Sequence, residues 1–94
     1  MTNRYDPDLP RVVAAAISVN GTVYSLPAPA RHHDVIRHMR MERGIGPQDE
    51  TWEQGFLLSD GRFARRKAAA SVALRAGQIE KLNWPPNLYS EDLW

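Results

Sequence analysis

Hydrophobic and polar positions along the chain form two successive units, each with two short apolar runs followed by a helical pattern. In the first unit, residues 12–19 are apolar, β-branched at both ends, and lead directly into Asn20-Gly21. Residues 22–26 form the second run, and an Asn-Gly pair between two such runs is the strongest short-range signal for a β-hairpin. The pattern therefore predicts two paired strands.

Residues 32–43 have the spacing of an amphipathic helix. Four side chains share one face of this helix: His32, Val35, Ile36 and Met39. Three arginines share another face: Arg37, Arg40 and Arg43. Gly44 and Gly46 are predicted to close the helix, because glycine readily takes the left-handed conformation found at helix ends. The polar segment 47–53 is predicted to be a loop.

The second unit repeats this order. The runs 56–58 and 62–64 flank Asp60-Gly61, which is another strong hairpin signal. Residues 65–76 contain neither Gly nor Pro, so they favour a helix that Gly77 is suited to end. Its apolar face is built from small residues: Ala69, Val72, Ala73 and Ala76.

The last segment has little regular period but is rich in large apolar side chains. These are Leu82, Trp84, Leu88, Tyr89, Leu93 and Trp94. Because so much apolar surface is costly to leave in water, we expect the tail to dock on the body or on a partner chain. The predicted fold class is α+β, with two β-hairpins in one antiparallel sheet, two helices on one face and a docked irregular C-terminal tail. We predict a flexible arm over residues 1–10 and a single domain over residues 11–94.

Charge and composition narrow the function classes. Twelve basic and eleven acidic residues leave a net charge of +1, so the field of the whole protein gives no drive toward polymeric nucleic acid or an anionic membrane. The chain has no Cys, no apolar signal-peptide core and no run long enough to span a membrane. We therefore predict a soluble intracellular protein whose anion sites, if present, are local.

Four cations lie between the second hairpin tip and the following helix: Arg62, Arg65, Arg66 and Lys67. Cations in a first helical turn oppose the helix dipole, so local stability does not explain them. Together with the unpaired N–H groups of a helix start, they predict an anion or phosphate site. The alternative is that these are solvated surface charges, which is the usual fate of Arg and Lys.

Residues 32–34, His-His-Asp, offer metal-ligand chemistry in an unfavourable arrangement. Neighbouring helical residues point about 100° apart, and neither His32 nor His33 lies four residues from His38. No nucleophile, Walker, dinucleotide or zinc motif is present. We therefore predict no metal, no cofactor and no enzymatic activity.

A binding role fits the aromatic and basic residues better. Phe56 or Phe63 is suited to stack on a base, and Arg62 and Arg66 to hold phosphate. The alternative for both phenylalanines is core packing, and the alternative for the three arginines of the first helix is a solvated face.

The sequence also resembles a known family. The resemblance lies in Arg31-His32-x-Asp34-Val35-Ile36, Gln54-Gly55-Phe56, Gly61-Arg62-Phe63, Ala76-Gly77-Gln78-Ile79 and residues 88–94. This combination is similar to small phage proteins related to the first type of Thoeris anti-defence protein, a sponge that sequesters cyclic ADP-ribose signals made by bacterial TIR enzymes. The chain departs from that pattern at Arg65, Lys67 and Ala68, which makes its helix start more basic.

The resemblance implies a non-catalytic protein in the cytoplasm of an infected bacterium, assembled as a homodimer or higher homo-oligomer around a cyclic nucleotide. Its implied ligand-binding residues are Arg31, His32, Phe56, Arg62, Phe63 and Arg66. Two alternatives remain: a protein–protein inhibitor of a defence enzyme that uses the arginine face and the Trp-rich tail, and a small DNA-binding regulator, which the low net charge disfavours.

Overall fold

The computed structural model describes residues 9–44 and 52–94. The elements are β1 (Val12–Val19), β2 (Thr22–Ser25), α1 (His32–Arg43), β3 (Trp52–Leu58), β4 (Phe63–Arg65) and α2 (Arg66–Arg75), followed by a 3-10 helix (Ser90–Asp92) in the tail. This order confirms the two hairpin–helix units and the α+β class. Residues 1–8 of the predicted arm, and Gly46 with most of the predicted loop, lie outside the described residues.

The four strands form one antiparallel sheet in the order β2-β1-β3-β4. The first hairpin closes with Val19 opposite Thr22, and both turn residues have positive φ, 49° at Asn20 and 88° at Gly21. Two successive positive φ angles define the turn that matches the twist of paired strands, which is why Asn-Gly was so informative. The two hairpins then join through the β1–β3 pair.

Strand β3 is longer than the sequence pattern indicated. The prediction placed Trp52 and Glu53 in a loop, whereas β3 begins at Trp52, which pairs with Val19 of β1. The segment 52–55 is too polar to read as a strand locally. It is extended because β1 offers a full row of backbone hydrogen-bond partners, a long-range effect that overrides local propensity.

Helix α1 has the predicted bounds and well-defined ends. The Asp34 carboxylate accepts a hydrogen bond from the Arg31 backbone N–H at 2.8 Å, which caps the first turn. At the other end Gly44 has a φ of 66° and donates its N–H to the Arg40 carbonyl at 3.1 Å. Val35 and Met39 are buried against the sheet.

Helix α2 covers the same face of the sheet beside α1, as predicted. Its buried residues are alanines: Ala69, Ala70 and Ala73. Phe56 of β3 and Leu88 of the tail complete this part of the core, and neither has any exposed surface. Gln78 joins the segment after α2 to β1, because its amide accepts from the Val12 N–H at 2.7 Å and donates to the Val12 carbonyl at 2.8 Å. The docked tail is therefore confirmed.

Candidate functional site at the helix starts and the tail

Both helices begin beside the same aromatic ring. His32 is the first residue of α1, and its ring packs edge-on against Phe56 with centroids 5.0 Å apart. Arg66 is the first residue of α2, and its guanidinium carbon lies 6.0 Å from the Phe56 centroid. The positive ends of two helix dipoles are thus directed toward one region. Arg31 immediately precedes His32 at the start of α1. We call Arg31, His32, Phe56 and Arg66 the junction cluster.

Phe56 supports this cluster from within the core. Its exposed fraction is 0%, so the ring has no surface to offer a ligand. Its ring instead contacts the His32 ring and the Arg66 guanidinium. Of the two roles considered for this side chain, the structure displays core packing.

His32 is a buried histidine with a defined tautomer. Its Nε2 lies 2.7 Å from the Gly55 carbonyl oxygen, which can only accept, so Nε2 carries a hydrogen. Burial lowers the pKa of His32 and the Arg66 charge lowers it further, while the hydrogen bond to Gly55 and the Glu91 charge oppose the change. The neighbouring His33 is exposed. Across residues 9–44 and 52–94, no group of three or more His, Asp or Glu side chains is placed to bind a metal ion.

Arg66 fastens the tail to the start of α2. It donates from Nη1 to the Leu88 carbonyl at 3.0 Å and from Nη2 to the Gln54 side-chain oxygen. Its guanidinium carbon also lies 4.6 Å from the centroid of the Tyr89 ring, in a cation–π contact. Burial lowers the pKa of Arg66, but a guanidinium remains charged at neutral pH.

Arg31 fastens the end of the tail to the start of α1. Its Nη1 lies 3.2 Å from Oε2 of Glu91, and its Nη2 donates to the main-chain oxygen of Trp94. The Trp94 indole N–H in turn donates to the Ala30 carbonyl at 3.2 Å. Each helix start therefore contributes one arginine that binds a different part of the same tail.

The tail forms an open cleft next to these arginines. It is lined by Trp84, Tyr89 and Glu91 and has a volume of about 320 Å³. The two rings meet edge-on with centroids 5.6 Å apart, and Trp84 remains 55% exposed. An exposed tryptophan beside a second aromatic ring is the type of surface that stacks on flat ligands. We call this the tail cleft.

The loop that carries the tail cleft is built around Asp92. The Asp92 carboxylate accepts from the Asn83 side chain at 2.7 Å and from the Tyr89 backbone N–H at 2.9 Å, which ties the two ends of the loop together. Glu91 is held in its ionised form: a hydrogen bond from its own backbone N–H, and then the Arg31 charge, lower the pKa of this carboxyl. These contacts hold the Tyr89 and Glu91 side of the cleft in place.

The four cations of the second hairpin and helix do not gather into one group. Arg62 turns back to Asp60, with Nε 2.7 Å from Oδ2, and Arg65 pairs with Glu53. Lys67 is exposed. Arg66 contacts Tyr89, which lines the tail cleft. The predicted concentration of positive charge is therefore divided among separate partners along the chain.

Phe63 lies on the opposite face of the sheet from Phe56. Residues paired across two strands share a face, and Phe63 is opposite Leu57 whereas Ala64 is opposite Phe56. A Cβ added at Gly55 would lie 2.7 Å from the Phe63 ring, so the ring covers this glycine. Arg62 and Phe63 are thus separated from the junction cluster within one chain.

Sequence reasoning gave Trp84, Tyr89 and Glu91 no role in nucleotide binding, and it used the Trp-rich tail only in the alternative of a protein–protein inhibitor. The available signal was an aromatic-rich tail with acidic residues beside it, which predicted docking but not a cleft. Neither solved structures nor curated proteins gave a match to this chain. The family model described as Phage T4 y16D protein matches residues 11–94. The chain therefore belongs to the phage T4 y16D protein family.

Proposed function

We propose that this phage protein is a non-catalytic sponge that binds and sequesters a cyclic nucleotide immune signal, either a cyclic ADP-ribose isomer or a cyclic oligonucleotide. The observation that carries the proposal is the tail cleft, where exposed aromatic surface adjoins two arginines at two helix starts. Stacking surface next to guanidinium groups matches the two chemical parts of a nucleotide, a flat base and an anionic phosphate.

The residue roles follow from exposure and bonding. Trp84 offers most of the free aromatic surface, so it stacks on the base. Arg31 is partly exposed, so its guanidinium binds the phosphate while it remains paired with Glu91. Arg66 is engaged by the tail, so it supports Tyr89 and contributes charge rather than a direct contact.

The cleft volume bears on the assembly. About 320 Å³ lies at the small end of ligand pockets and suits one base rather than a whole cyclic dinucleotide. We propose that a homodimer or higher homo-oligomer encloses the rest of the ligand. Arg62 and Phe63 of a second copy are then available to complete the pocket, since Arg62 is largely exposed.

Isothermal titration calorimetry tests this proposal with cyclic ADP-ribose isomers and with cyclic di- and trinucleotides. We expect heat with at least one of them, a large loss of affinity in Trp84→Ala, and recovery of the intact ligand after heat denaturation. Met41→Ala is a matched control, because Met41 is 69% exposed and lies on α1 away from the cleft lining. No binding by any of these nucleotides would remove the proposal, and recovery of a cleaved product would indicate an enzyme.

A second candidate is direct inhibition of a bacterial defence enzyme through α1. This candidate is supported by an exposed surface of α1, on which the apolar side chain of Met41 lies near the exposed Arg37 and Arg40. This function would be favoured if the protein captured one host protein in stoichiometric amount and added nucleotide did not release it. The double variant Arg37→Glu/Arg40→Glu should then lose this capture. Capture unaffected by those changes would exclude the α1 surface.

A further inference from the structure

We infer that the tail cleft is a guanine subsite, in which Trp84 and Tyr89 contact the base and the Glu91 carboxylate accepts hydrogen bonds from its edge. This inference rests on the proposed function and selects among its ligands. It predicts that guanine-containing cyclic oligonucleotides bind better than adenine-containing signals.

The charges around the cleft select a neutral group for its interior. A cation would meet Arg66, which already occupies the Tyr89 ring at 4.6 Å, and Arg31, which already neutralises Glu91 at 3.2 Å. An anion would meet the Glu91 carboxylate in the wall itself. Like charges at such short range are unfavourable, so the cleft suits an uncharged flat group, while any phosphate lies outside beside Arg31.

The polar wall then distinguishes one base from another. An ionised carboxylate only accepts hydrogen bonds, and its two oxygens have about four lone pairs, so the contact with Arg31 leaves acceptor capacity free. Guanine presents two adjacent donors, N1–H and the N2 amino group, which match the two oxygens. Adenine presents one amino donor beside the N1 acceptor, and that acceptor would face the carboxylate. Good bidentate base contacts contribute enough to discriminate by about tenfold or more.

Calorimetry with two probes, cyclic di-GMP and cyclic di-AMP, tests the inference. We expect cyclic di-GMP to bind about tenfold more tightly or better. In Glu91→Gln, one acceptor becomes an N–H donor, so the preference should fall to within about twofold. Glu42→Gln is the matched control, because Glu42 is an exposed glutamate on α1, and it should keep the wild-type preference. Since Glu91 is exposed, loss of folding is not expected in the variant.

The outcomes separate the two claims. Equal affinity for the two probes, tighter binding of cyclic di-AMP, or an unchanged preference in Glu91→Gln would overturn the guanine assignment and leave the sponge function standing. Absence of binding by both probes and by all other cyclic nucleotides would overturn both. NMR locates the base independently: the Trp84 indole resonance should shift on addition of cyclic di-GMP, and an unmoved resonance would also overturn the assignment.

Discussion

The two halves of the covered sheet face are filled in opposite ways. Beneath α1, the core volume comes from large side chains on the helix and sheet: Ile17, Val19, Val35 and Met39. Beneath α2, the buried residues of the helix are alanines, with the partly buried Val72 packed beside them. The larger side chains of this core come from the strands and the tail, and Phe56 and Leu88 are fully buried among them. The core of the α1 half is formed by the first hairpin–helix unit, with Trp52 of β3 packed against it, whereas the core of the α2 half includes Leu88 of the tail.

This difference explains where the candidate site lies. A helix with an alanine face packs close to the sheet and leaves room at its start for another segment to fill. The tail occupies that room, and Arg66 at the first position of α2 bonds to it. The tail cleft therefore forms where the tail completes the core beneath α2. The core beneath α1 is built without tail residues.

The strongest test of this comparison is Leu88→Ala. Leu88 has no exposed surface, so truncation should lower the free energy of unfolding by about 2–5 kcal/mol, as expected for a buried leucine in a central core. Met39→Ala in the α1 half has the same burial and should cost a similar amount, also about 2–5 kcal/mol. Urea denaturation measures both.

Leu82→Ala serves as the internal control. Because Leu82 is only partly buried, this substitution should lower the free energy of unfolding by less than Leu88→Ala does. If Leu88→Ala lost less than about 1 kcal/mol, the tail would be a surface attachment, and the claim that it completes the core would be wrong.

The second test compares two arginines four residues apart. Arg66→Lys removes the planar fork that binds the Leu88 carbonyl and Gln54 together, and should lower stability by about 1–3 kcal/mol. Arg62→Lys alters an exposed contact with Asp60 and should change stability by less than about 0.5 kcal/mol. Hydrogen exchange should show faster exchange of the Leu88 and Tyr89 amides in Arg66→Lys alone. Equal effects of the two variants would show that Arg66 has no special role in tail docking.

The sequence predicted the elements because their signals are local. Asn20-Gly21 fixed the first turn, and the helical spacing with Gly44 gave both ends of α1. The start of β3 at Trp52 was missed, because that segment becomes a strand only by pairing with β1. Docking of the tail followed from its apolar content, but its route depends on Arg31 and Arg66, which local patterns cannot connect to it.

The candidate site was less predictable than the fold for a similar reason. Arg62, Arg65 and Arg66 look equivalent in sequence, yet they pair with Asp60, with Glu53 and with the tail respectively. Strand register and the first helical turn decide these directions. Nearby positions in the sequence therefore do not bring these cations into one site. Trp84 and Tyr89 come together in a loop whose two ends are joined by Asp92, a long-range contact that local sequence patterns do not predict.

The smallest expected effect concerns pH and the boundary between the two halves, where His32 of α1 contacts Phe56 under α2. The folded protein lowers the pKa of His32 below 6.5, chiefly through burial, with Arg66 acting in the same direction and Glu91 against it. Below pH 6.5 the unfolded chain binds a proton at this position while the folded chain does not. Stability is therefore complete above pH 6.5 and falls as the pH drops toward the folded pKa, by at most about 1.4 kcal/mol per pH unit for one proton.

Urea midpoints measured from pH 7.5 to pH 5 check this slope. The Asp60 and Glu91 carboxyls, whose pKa values are also lowered, lose their contributions only below their ordinary values of 3.8 and 4.5, outside this range. His32→Gln should be less stable at pH 7.5 yet nearly insensitive to pH, because an amide can still donate to Gly55 but does not titrate. The exposed His38→Gln retains His32 and should keep the wild-type slope. If the wild-type urea midpoint did not change between pH 7.5 and pH 5, or if its pH dependence persisted in His32→Gln, then His32 would not be the group that makes stability depend on pH.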